Sequence, residues 1–368
     1  MEFKEILNGS LFALPKITPK NKTYRKFINE LFDAYLKLFE QVDEKVIGVP
    51  GLKSVQTLGA IIQRQRKFID GIVKTLEVYY DGQPAQAYGV FVKTMDNRIK
   101  SFATLQTLRD FMPGESFYRI RTKEENYPLS SSEMFHIPFH LRGKVTTQRY
   151  SIPGFPSLYL AKSLYVAWEE LKRPSLDKFQ AVRLESTETL RCLDLLSPKL
   201  ERNTMDKDAY RYLMIWPLIA ACSIKVANPQ DSFKPEYIIP QLLLQWVRNT
   251  GNIDGIIYAS TNIRLNRKIP LKNLYNVVLP VKDNNEEGLC TQLSEKFEMT
   301  PAISRQLLNF SSAGESAFRN EEELLRIDQK IPEFEVVKGY RLQYGNSVIG
   351  NMELILDEMR PEEIDPNC

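Results

Sequence analysis

Between Arg149 and Glu170 the chain reads RYSIPGFPSLYLAKSLYVAWEE, placing a cation, an aromatic ring and two carboxylates in one short stretch. In an extended strand over Leu158 to Ala161, Tyr159 and Ala161 face one way and Leu158 and Leu160 the other. Ser163 is a good N-cap for a following helix, and Glu169 and Glu170 then lie about two turns in. Adjacent helix positions are turned about 100° apart, so one glutamate is expected to face the corner and the other solvent. A strand-to-helix corner of this kind is a common place to build a ligand pocket.

Other constellations point to less. His136 and His140, the two histidines, are four apart, but Pro138 lies between them and neither an H-E-x-x-H nor a nearby Cys accompanies them. A metal site is therefore not expected, and a substrate-side role suits a segment lying just before Arg149. No G-x-S-x-G elbow supports a nucleophilic triad. Neither G-x-G-x-x-G nor G-x-x-x-x-G-K-[ST] occurs, so neither nucleotide loop is available.

Arg149 precedes a turn containing Gly154, a strand reading Leu158-Tyr159-Leu160-Ala161, and a helix in which Ala167 and Glu170 make A-x-x-E. Upstream stands Phe117-Tyr118-Arg119-Ile120; downstream, Asp254-Gly255-Ile256-Ile257-Tyr258-Ala259-Ser260. These blocks, in this order, resemble the RES family, named for an Arg, a Glu and a Ser, over roughly residues 112 to 282. The resemblance implies a fold similar to that of ADP-ribosyltransferases and an enzyme that consumes NAD as substrate, without a separate cofactor, by cleaving the nicotinamide–ribose bond. As that bond breaks the ribose gains positive charge, which a fixed carboxylate stabilises. Glu170 is the residue expected in that role, with Glu169 beside it on the substrate side. Arg149 or Arg119 would hold the pyrophosphate bidentately. Tyr159 offers a ring to stack on a base and a hydroxyl for the ribose, and Tyr118 is placed near it. Ser260 would hydrogen-bond the carboxylate or the nicotinamide amide, with no nucleophilic role.

The resemblance further implies a toxin that passes ADP-ribose to water or phosphate, held in check by an antitoxin protein. Mono-ADP-ribosylation of a macromolecule and a catalytically silent NAD sensor are the alternatives.

An α+β domain with a mixed or antiparallel sheet is expected to position these groups. Residues 1–110 read as an N-terminal helical region, 111–282 as the catalytic domain and 283–368 as a C-terminal extension. In the first region Phe27, Leu31, Phe32, Tyr35, Leu36 and Phe39 keep a three-four spacing. Leu58, Ile61, Ile62, Phe68, Ile69, Ile72, Val73 and Leu76 make a second apolar face, with Ser54 as a possible cap. Such helices would stabilise the next domain or pair with a second copy. Strands are expected at 116–121, 158–161, 179–184, 190–195, 255–259 and 276–281, and helices at 164–171, 206–227 and 238–249. Beyond 283, a helix over 299–308, a hairpin or strand-to-helix unit over 334–356 and a loose tail from Arg360 complete the expectation.

Composition sets the outer bounds. The chain has 368 residues, 43% hydrophobic and 26% charged, which allows ample core and argues against disorder. A net charge of +3 is too small to imply nucleic acid. The most apolar window, 213–224, is too short to span a bilayer. The cysteines at 192, 222, 290 and 368 show no C-x-x-C spacing, so neither disulfide framework nor zinc site is expected. Glu2 and Glu5 interrupt any leader-like start, and a cytoplasmic location is the default reading.

Overall fold

The computed structural model describes residues 3–7, 9–42, 57–104, 107–123, 127–196, 206–261, 263, 273–309 and 321–367. The first helices are α1 (Phe3–Ile6), α2 (Tyr24–Phe39), α3 (Leu58–Tyr80), α4 (Pro84–Thr104), α5 (Ser131–Met134) and α6 (Leu164–Glu170). They are followed by α7 (Asp206–Ser223), α8 (Ile238–Asn249), α9 (Thr291–Ser294), α10 (Arg305–Asn309), α11 (Glu321–Lys330) and α12 (Val348–Glu358). The strands are β1 (Leu108–Phe111), β2 (Ser116–Thr122), β3 (Ser157–Ala161), β4 (Phe179–Ser186), β5 (Leu190–Asp194) and β6 (Gly255–Ala259). After them come β7 (Tyr275–Pro280), β8 (Phe297–Met299), β9 (Glu333–Val337), β10 (Tyr340–Gln343) and β11 (Glu362–Glu363). The class is α+β, with N-terminal helices followed by a nine-stranded, mixed and mostly antiparallel sheet.

Two compact units divide the chain, each gathered from separate stretches. The first comprises residues 1–109, 148–150 and 194–246. Here α2 buries Leu31, Phe32, Tyr35, Leu36 and Phe39, and Thr23 caps it by accepting from the Lys26 N–H. Thr57 caps α3 in the same way, accepting from Ala60; Ser54 lies outside the described residues. Helix α7 carries an internal proline, Pro217, which cannot donate to the carbonyl of Leu213 one turn earlier. The Tyr35 hydroxyl donates to that carbonyl instead, at 2.6 Å, and its ring stacks on Trp216 at 4.8 Å. The N-terminal helices thus supply the hydrogen bond that α7 lacks. Helix α7 stops at Ser223 rather than Ala227, because Lys225 forms a parallel bridge with Ile17.

The second unit comprises residues 110–147, 151–193 and 247–368 and is built on the sheet, in the order β1-β5-β6-β7-β3-β2-β4-β8-β11. Its β2–β4 ladder runs the full length of β2, and β3 pairs along its whole length with β7. Between β2 and β3, however, the ladder has the single pair Tyr118↔Ala161. Beyond that pair the two halves part, and the sheet forks. The pairing puts Tyr118, Tyr159 and Ala161 on one face, which α6 covers, and Arg119 on the other.

The 299–308 helix is not formed. Met299 ends β8, and the residue before Pro301 is held out of helical backbone. Ile303 then exchanges both backbone hydrogen bonds with Ala181 before α10 begins. Nor is the end of the chain loose: β11 pairs with β8, and the Leu289 N–H donates to the Pro366 carbonyl at 2.8 Å. Residues 333–343 make a β9–β10 hairpin leading into α12, the strand-to-helix alternative. Cys192, Cys222 and Cys290 are buried and form no disulfide among the described residues. No helix among the described residues is long and apolar enough to cross a membrane.

Candidate functional site

Helix α6 begins just after β3, which itself follows the turn in which Gly154 takes φ +75°, a left-handed conformation that favours glycine. Ser163 caps it, accepting from the Val166 N–H at 3.3 Å. Glu170 is its last residue, half-buried. Ser260, immediately after β6 and 3% exposed, donates its hydroxyl hydrogen to Glu170 Oε2 at 2.6 Å. The Ser260 Oγ also accepts from the Ile263 N–H at 3.4 Å, which closes the turn after the strand. A carboxylate and a hydroxyl from sequence positions ninety residues apart are thereby held in direct contact.

The neighbouring Glu169 does not face solvent. It is 8% exposed and grips the Arg173 guanidinium through Oε1, at 3.0 Å from Nε and 2.6 Å from Nη2. The adjacent carboxylate, Glu170, is the one that meets Ser260.

Arg119 stands where the sheet forks. Its Nη1 donates to the Tyr159 carbonyl at 3.0 Å. Its buried Nε has no hydrogen-bond partner among the described residues, and burial, reinforced by Arg121, pulls its pKa down to about 10. The Asn276 Nδ2, on the strand beside Ala161, is likewise buried without a partner. Tyr159 is half-buried on the face that α6 covers.

Two expected members have other partners. Arg149 belongs to the first unit, where it donates to the Cys222 carbonyl at 2.9 Å and lies over the Tyr237 ring at 5.3 Å. Tyr118, expected on the substrate side, is 1% exposed; its hydroxyl donates to Asp357 and accepts from Lys330 at 3.2 Å. That hydroxyl is held by the C-terminal helices. His136 is corrected similarly. Its Nε2 accepts from the Cys290 N–H at 2.8 Å, which leaves the proton on Nδ1 to reach the Ile137 carbonyl at 2.9 Å. Burial pulls its pKa down to about 4, so it is a neutral core residue with both nitrogens engaged.

Two further side chains support the site. Lys282 donates to the carbonyls of Val247, Arg248, Thr250 and Ile253 at 2.9–3.3 Å, gathering the turn that leads into the strand before Ser260. Burial lowers its pKa to about 8. Glu353, fully buried in α12, accepts from the Leu164 N–H at the start of α6 at 2.7 Å. A lone carboxylate inside the apolar run VIGNMELIL was the available signal.

Comparison with known proteins places this geometry in a family. The RES domain matches residues 116–287, a span that contains β2, β3, α6 and Ser260. The chain is also 33% identical over 349 residues to a protein of Bacillus subtilis (strain 168) named "Putative toxin YopC", covering 89% of this chain and 76% of that one. No solved structure matches. The ordered blocks, the contact between Glu170 and Ser260, and the relative matched along most of its length agree: this chain belongs to the RES-domain family.

Proposed function

We propose that this protein is a toxin that destroys NAD, breaking the nicotinamide–ribose bond and passing ADP-ribose to water or phosphate. The observation that carries the reading is the Ser260–Glu170 hydrogen bond within the RES span. In this reading the leaving nicotinamide takes the bonding electron pair and the ribose carbon becomes oxocarbenium-like. The Glu170 carboxylate stabilises that charge, and Ser260 fixes the carboxylate's direction.

Arg119 lies on the sheet face opposite the one that α6 covers, so the substrate side is left to Glu170, Ser260 and Tyr159. The name of the Bacillus subtilis relative supports the toxin reading, and an antitoxin protein would then be its partner.

Mass spectrometry of NAD incubated with purified protein tests the proposal. Free nicotinamide with ADP-ribose or its phosphorylated form is the expected result. Release of nicotinamide only when a macromolecule is added would make the protein a mono-ADP-ribosyltransferase. NAD left intact under all these conditions would overturn the proposal.

A further inference from the structure

Helix α6 is too short to hold itself. It has seven residues, and such a helix is marginal without outside partners. Its orphan N–H groups are met largely by the C-terminal segment. The Leu164 N–H goes to Glu353 Oε2 at 2.7 Å, and the Tyr165 N–H goes to the Tyr344 hydroxyl oxygen at 3.1 Å. That hydroxyl donates in turn to the same Glu353 oxygen at 2.6 Å, while Lys330 holds the other carboxylate oxygen at 3.1 Å.

The far end is tied just as firmly. Lys172 and Arg173 both take left-handed backbone, φ +61° and +57°, a conformation unfavourable for non-glycine residues. The bend brings the Arg173 guanidinium onto Glu169 and, beyond it, onto β9. Its Nη1 donates to the Val336 carbonyl at 2.8 Å and its Nη2 to the Glu335 carbonyl at 2.9 Å. The same guanidinium lies over the Trp168 ring at 5.1 Å. Both ends of the helix carrying Glu170 are therefore fastened to residues 333–353, which lie beyond the RES span.

We propose that this C-terminal segment is a positioning frame for Glu170, with Arg173 and Glu353 as its positioning residues. The inference rests on the reading of Glu170 as the group that stabilises the ribose. Neither residue touches the reacting atoms. Each acts by setting where α6 ends, and a displacement of about 1 Å at a catalytic group can cost about 10²-fold in rate.

Arg173 is the better point of attack, because Glu353 is fully buried and its removal could unfold the protein. Arg173→Ala and Arg173→Lys are compared with wild type for kcat and KM on NAD, melting temperature, and hydrogen exchange of the amides in 164–171. Lysine keeps the charge beside Glu169 but cannot span Glu169 and two carbonyls at once. Both variants should exchange faster over 164–171 and lose about ten- to a hundredfold in kcat. KM should move by less than about twofold, the mark of a loss confined to the transition state. Wild-type kcat in either variant overturns the proposal, as does unchanged exchange. Should wild-type protein leave NAD intact, the proposed reaction fails, and exchange over 164–171 alone then decides whether the frame exists.

Discussion

Replacing Glu170 by Gln keeps its size and a hydrogen-bond acceptor for Ser260 but removes the negative charge that the proposed reaction needs. Loss of such an electrostatic group costs about 3–4 kcal/mol, a few hundredfold in rate. Steady-state nicotinamide release should fall by that factor, with the circular dichroism spectrum unchanged; wild-type turnover would dismiss the role. Ser260→Ala removes only the director of the carboxylate and should retain more activity than Glu170→Gln in the same assay. His136 makes a separate prediction about stability. Its folded pKa, about 4, lies below the ordinary 6.5, so the unfolded chain takes up the proton first. Its contribution is full above pH 6.5 and drains away as pH falls towards 4, about 2 kcal/mol being lost by pH 5. Urea unfolding of wild type and His136→Asn should show the stability gap between them narrowing from neutral pH to about pH 5. A gap that stays constant would mean that the ring does not titrate as described.

Gly255 illustrates how an element enforces the site. A Cβ placed there would lie 2.5 Å from the Val278 carbonyl oxygen on the paired strand, too close for either backbone to keep its place. Gly255→Ala should therefore destabilise the protein by about 1–3 kcal/mol, read as a lower urea midpoint, and shift the strand that ends at Ser260. An unchanged midpoint would show that the two strands can part freely. Elements like this were legible from local pattern: the β6 bounds of 255–259 and the α8 bounds of 238–249 follow directly from apolar runs and turn residues. The link between A-x-x-E and the strand ending in Ser260 was legible only as a family pattern, because nothing local joins residues so distant in the chain. What stayed hidden was the work of the C-terminal segment. Its helix α11 is highly charged, and its anchoring groups (Lys330, Tyr344 and Glu353) read as ordinary surface or core types until their partners are seen. Tyr118 misled for the same reason, since β2 alternation gives its face but not what covers that face.

On the scale of the whole molecule, the chain is not cut where its sequence changes character. The N-terminal helices share their unit with residues 194–246, and Tyr35 completes the hydrogen bonding of α7 across the proline gap. A fragment of residues 1–110 would leave the rings of Phe12 and Tyr35 without that of Trp216. Expressed alone, it should be poorly helical by circular dichroism and aggregate in light scattering; a stable monomer would mean that these helices need no such partner. The buried cysteines carry a practical consequence of the same division. Cys222 sits in the first unit, with its thiol pushed up to about 12 by burial, while Cys192 and Cys290 sit in the second. In a Cys368→Ser background a thiol-reactive dye would have to wait for each unit to open. Peptide mapping of the dye over time would give each unit its own clock, and would tell which half of the molecule breathes first.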